Sequence, residues 1–169
     1  MTVVLSNESN RDAKHLWNLL SHYPIDRIGF GEILCRGNRS LAVFQKRTAR
    51  IFGSRPLVLL LDDLPLPDLP ETALLACFHG AIRPAGHLKS SHHCCITVGP
   101  CHFAGISLSS YRSDSSLISV LRSFTDQKGQ EIQTGEYRLP FGNRYPPTVL
   151  CAAALILLYH GILPDQAFL

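Results

Sequence analysis

Nine residues with the chemistry of metal ligands or nucleophiles crowd into the middle of this chain: Cys77, His79, His87, His92, His93, Cys94, Cys95, Cys101 and His102. Structural zinc takes four such ligands, usually in paired spacings such as C-x2-C or H-x3-H. Here the pairs are adjacent or irregular. On a strand, Cys94 and Cys95 point to opposite faces, so one ion cannot take both without a bulge. The spacing therefore favours cysteines packed as small hydrophobes, with histidines in solvent, over a zinc-stabilised domain. A second candidate is Cys151, expected in the first turn of a terminal helix, where the helix dipole can lower a thiol pKa. No hydrolase signature surrounds it, and no histidine stands out as its base. Basic residues gather at Arg36, Arg39, Lys46, Arg47, Arg50 and Arg55. Lys46, Arg47 and Arg50 lie within a turn of one another and offer a helical face to RNA phosphates. The sequence has no glycine-rich phosphate loop and no carboxylate pair with a recognisable role, and it calls for no cofactor and no metal.

The scaffold around these residues is legible in outline. The 169 residues suit one domain over 1–169, and 46% hydrophobic against 17% charged residues excludes global disorder. A net charge of +3 is too mild to announce nucleic-acid binding by itself. The start, MTVVLSNESN, lacks the pattern of a secretory signal, so the six cysteines are expected as free thiols in a soluble intracellular protein. The longest apolar run, Val149 to Tyr159, falls short of the roughly 20 residues that span a bilayer.

Helices are expected from an Asn10 or Ser9 cap to about Ser21, over Asp26 to Cys35, and over Ser40 to Phe52. Pro56 to Leu61 has the length of a buried strand, and DDLPLPDLP forms a stiff connector. From Asp68 to Pro84 a helix is expected, with Asp68 and Glu71 as an acidic capping pair and Pro70 in the first turn. HHCCITV and CHFAGISL read as a strand pair around Gly99-Pro100. Ser113 caps a helix that buries Leu117, Ile118, Val120, Leu121 and Phe124, and GQEIQTGEYRL makes a small hairpin. Thr148 to His160, apolar all round, is a central buried helix. The expected fold is α+β: a single helix-rich domain with a small antiparallel β element.

Leu69-Pro70, then Ala73, then ten residues to Pro84, resembles the minimal F-box-like motif of the polerovirus P-zero family of RNA-silencing suppressors. The family pattern places Leu or Ile where this chain has Ala73, and Leu74, one position on, is the expected substitute anchor. The start MTVVLSNES, then FGEILCRG, ITVGP and SYRSDSSLISVLRS come in matching order, so the resemblance spans about Met1 to Leu121. It implies a plant-virus protein that is not an enzyme and that acts in the ubiquitin pathway. The segment 68–84 would engage the Skp-type adaptor of a host cullin ubiquitin ligase through Leu69, Pro70, Leu74 and Pro84. The host Argonaute would then be degraded, in the host cytoplasm and often near endoplasmic-reticulum membranes, with peripheral membrane contact. Helix-in-groove recognition is the physical form that such a segment would take. The rival readings are a suppressor that sequesters small RNA on the Lys46, Arg47 and Arg50 face, and a zinc-stabilised interaction domain.

Overall fold

A computed structural model of the chain describes residues 1–7, 9–29, 32–34, 40–44, 51, 54–62, 68–78 and 94–162. The chain divides into two compact units, Met1–Cys95 and Ile96–Leu169.

The first unit is built on a sheet. Strands β1 (Thr2–Leu5), β2 (Asp26–Gly29), β3 (Glu32–Leu34), β4 (Ser40–Phe44), β5 (Leu57–Leu60) and β6 (Leu74–Phe78) lie in the order β3-β2-β4-β1-β5-β6. All neighbours are parallel except the β2–β3 pair. Strands of a parallel sheet covered on both faces read as unbroken apolar runs. That is what VVL, LVLL and LLACF are, and every residue of β1, β5 and β6 is buried. One face carries Val3, Leu5, Val58, Leu60, Leu75 and Cys77, joined by Ile51 and, half-buried, Leu69. After β1 comes helix α1 (Arg11–Leu20), capped as expected: the Asn10 side chain accepts the Ala13 N–H at 3.0 Å. It buries Ala13, Leu16, Trp17, Leu19 and Leu20 along one stripe.

Strand β7 (Cys94–Val98) carries the chain into the second unit. There β8 (Ile106–Tyr111), β9 (Ser116–Val120) and β12 (Gly135–Leu139) form an antiparallel run, with a bulge in β8 between Leu108 and Ser110. Strands β10 (Phe124–Thr125) and β11 (Glu131–Ile132) make a separate small ladder. Helix α2 (Pro147–Tyr159) is buried from Val149 to Tyr159 and touches β8 and β9. It ends in a Schellman motif. Gly161, at φ +62°, donates to the Leu158 carbonyl, and Ile162 donates to that of Leu157.

The helix-rich expectation is overturned. The described residues hold two helices and a sheet-rich core, an α/β fold instead of a helical domain with a minor β element. Four expected helices hold strands in their described parts, Asp68 to Pro84 among them with β6. Asp26 to Cys35 holds β2 and β3, and the start of Ser40 to Phe52 is β4. The Ser113-capped segment is β9, whose burial alternates with period two: Ser116, Ile118 and Val120 lie inside while Leu121 is half exposed. The proposed hairpin in GQEIQTGEYRL is also re-paired, β11 with β10 and β12 with β9. Strands were correctly expected beside Gly99-Pro100, and they meet in parallel where Val98 pairs with Ile106. The buried terminal helix stands as expected, except that Pro146 occupies the cap position and no side chain caps it.

Candidate functional site

Over its described residues, 68–78, the segment that bears the F-box-like resemblance folds as a turn and then a strand. Pro70 to Ala73 close a single turn, with the Ala73 N–H donating to the Pro70 carbonyl at 2.9 Å. The capping signals at Asp68 and Glu71 are therefore spent on one turn, and the chain then enters β6. Leu74 to Cys77 pair in register with Leu57 to Leu60. An apolar run of five residues beside a ready strand gains more from ladder bonds and two-sided burial than from helical bonds along itself.

Three further bonds fix this turn to the segment before β5. The Ile51 N–H donates to the Asp68 carbonyl at 3.0 Å, and the Leu74 N–H donates to the Pro56 carbonyl at 2.9 Å. The Thr72 hydroxyl donates to the Ser54 carbonyl at 2.6 Å. The result is a stiff tip. Glu71 and Thr72 are exposed, Pro70 is half-buried, and Leu69 turns inward to the apolar cluster of the sheet. Of the four expected adaptor contacts, Leu69 and Pro70 are thus adjacent in the turn. Leu74 is only 5% exposed inside β6 and reaches a partner only if the strand leaves the sheet. Pro84 lies outside the described residues, as do Lys46, Arg47 and Arg50.

The cysteines divide by environment. Cys77 is buried in β6, and burial pushes its thiol pKa up, with the neighbouring Cys95 adding to the shift. Cys95 is itself raised by burial and then by Cys94. In the second unit Cys151 is fully buried, and desolvation drives its thiol to about 12, with Cys101 adding to the rise and backbone hydrogen bonds opposing it. Desolvation thus favours the protonated thiol of Cys151, the opposite of the lowered pKa that activates a cysteine nucleophile. Among the described residues no group of three His, Cys, Asp or Glu side chains could hold a metal ion. His79, His87, His92 and His93 lie outside them.

The carboxyl ends of parallel strands are where open α/β sheets commonly bind ligands. Here Asp62, just past β5, accepts the Asn7 N–H at 2.6 Å and the Asn10 side-chain amide at 2.9 Å. That carboxylate ties the β1–α1 connection to the end of β5, a structural use. Among the described residues no helix is long and apolar enough to cross a membrane.

Sequence reasoning passed over a cluster on the second unit, where Ser110, Leu117 and Arg138 stand in register across β8, β9 and β12 beside Arg112. The period-two alternation of SLISV and GEYRL is the signal that would have found it. No protein-family model matches this chain, and no curated protein matches it by sequence.

Proposed function

We propose that this chain is a suppressor of RNA silencing that works by recruitment, engaging the Skp-type adaptor of a cullin ubiquitin ligase and delivering Argonaute for degradation. The reading rests on the F-box-like spacing of Leu69-Pro70 and Pro84. One structural observation supports it: the Leu-Pro pair sits in a braced turn whose next two residues, Glu71 and Thr72, face solvent. The recognised element is then the tip at 69–72, with Leu69 setting its shape from beneath and Pro70 to Thr72 meeting the adaptor. This differs from a helix laid in a groove, because Leu74 and Leu75 are committed to the sheet. The action belongs in the host cytoplasm, near endoplasmic-reticulum membranes.

Co-precipitation with the Skp-type adaptor tests the reading. Leu69 also packs against the core cluster, so Leu69→Ala confounds binding with folding. Pro70→Ala and Glu71→Lys change the tip without emptying the core. Each is expected to abolish recovery of the adaptor at an unchanged thermal midpoint, and undiminished recovery by both would refute the proposal.

A further inference from the structure

In the second unit, strand β12 and the turn after β8 bring two arginines to one groove. Ser110, Leu117 and Arg138 are aligned across β8, β9 and β12. Arg112 lies in the turn just past the end of β8 and lines the same groove as Ser110 and Arg138. Neighbouring strands lie about 4.8 Å apart, so β8 and β12 are about 10 Å apart across Leu117, a gap that two long arginine side chains can close. Together with Ser115 these residues line a groove of about 310 Å³.

The groove is built on a rigid backbone. The Arg112 N–H donates to the Ser115 carbonyl at 2.7 Å, and its own carbonyl accepts the Asn143 N–H at 2.8 Å. Gly142 packs so tightly here that a Cβ would stand 2.1 Å from the Arg112 carbonyl oxygen. Arg138 is held in the β9–β12 ladder. The nearby carboxylates have other partners. Asp114 accepts the Ser115 hydroxyl at 3.1 Å, and Glu136 accepts those of Ser109 at 2.5 Å and Ser119 at 3.3 Å. Among the described residues neither Arg112 nor Arg138 enters an ion pair. Two guanidiniums lining one groove, with the carboxylates beside them turned to serine hydroxyls, attract an anion.

We infer that this groove binds a phosphate group, clamped between the guanidiniums of Arg112 and Arg138, with the Ser110 hydroxyl in the lining. Two planar, permanently charged forks suit a tetrahedral dianion, which offers acceptors to both. The site owes nothing to the turn at 69–72.

Titration calorimetry of the full chain with inorganic phosphate and pyrophosphate, at low ionic strength and again at high, tests the inference. Pyrophosphate is expected to bind, to weaken with salt, and to lose about tenfold in affinity in Arg112→Gln and in Arg138→Gln, the loss of one charge-assisted contact. A parallel arm compares a 5′-phosphorylated single-stranded oligonucleotide with its 5′-hydroxyl form. Preference for the phosphorylated form makes a nucleic-acid terminus the source of the phosphate, and equal binding of the two forms leaves a free phosphate compound as the source. No pyrophosphate binding at low salt, or loss in fewer than both variants, would overturn the clamp.

Discussion

Two apolar segments of this chain look alike and fold oppositely. LLACF at 74–78 and VLCAAALILLY at 149–159 each come shortly after a proline, each hold a cysteine, and each are buried on every side. The first is a strand and the second a helix. Length and context separate them. Thirteen residues rich in Ala and Leu close enough internal hydrogen bonds to repay helix nucleation, whereas five do not. The five gain a full ladder against Leu57–Leu60 instead. Pro70 and Pro147 each mark where a new element begins, but neither proline chooses between strand and helix. The consequence for recognition is direct. The described part of a segment that reads as a short hydrophobic helix in sequence, residues 68–78, is a core strand with a short exposed tip.

Truncation inside each segment gives the largest expected effects. Leu155→Ala in α2 and Leu75→Ala in β6 remove fully or nearly buried side chains, and each is expected to cost about 2–5 kcal/mol in urea unfolding. Leu69→Ala removes a side chain that is only half-buried against the first unit's cluster, and a smaller cost of about 1–2 kcal/mol is expected in the same assay. A loss from Leu69→Ala as large as that from Leu75→Ala would mean that the tip is core and not display.

Gly161→Ala acts on the end of α2 alone. A Cβ there meets nothing within 4 Å, so only the left-handed φ of +62° resists it. A loss of about 1 kcal/mol is expected in thermal unfolding. Alkaline pH separates the environments further. Burial holds Cys151 neutral up to about 12 and Tyr23 likewise, while the unfolded chain ionises them near their ordinary values of 9.0 and 10.0. The unfolded state therefore releases protons first. Stability is full below pH 9 and falls as pH rises from there toward 12, and Cys151→Ala is expected to flatten part of that decline in urea midpoints taken across the range. Smallest in energy but easily read is thiol labelling: Cys94, exposed, is expected to alkylate rapidly in the native protein and Cys151 only on unfolding.

Legibility in the sequence tracked the range of the interaction that decides each element. Asn10 capping α1 and the apolar length of α2 with Gly161 behind it are local, and they were readable from neighbouring residues. Asp26–Gly29, Ser40–Phe44 and Leu74–Phe78 are strands because they pair with β1, β4 and β5, partners distant in the chain or drawn together by the sheet. Such pairing leaves no mark on a short apolar run, where helix and buried strand look the same. Ser116–Val120 is different: its alternation was present in the residues, but the Ser113 cap signal outweighed it. The Leu69-Pro70 pair was found from the motif, whereas Arg112 and Arg138, 26 positions apart, meet only through the β8–β9–β12 register.

Hydrogen–deuterium exchange of the chain, with and without the purified Skp-type adaptor, tests the proposed recruitment of that adaptor through the tip. Amides of Leu74–Phe78 are expected to be strongly protected already in the free protein and to stay so. New protection on adding the adaptor should be centred on residues 69–73. Absence of new protection there, or loss of protection at 74–78 as the strand peels away to form a helix, would refute recruitment through a braced tip.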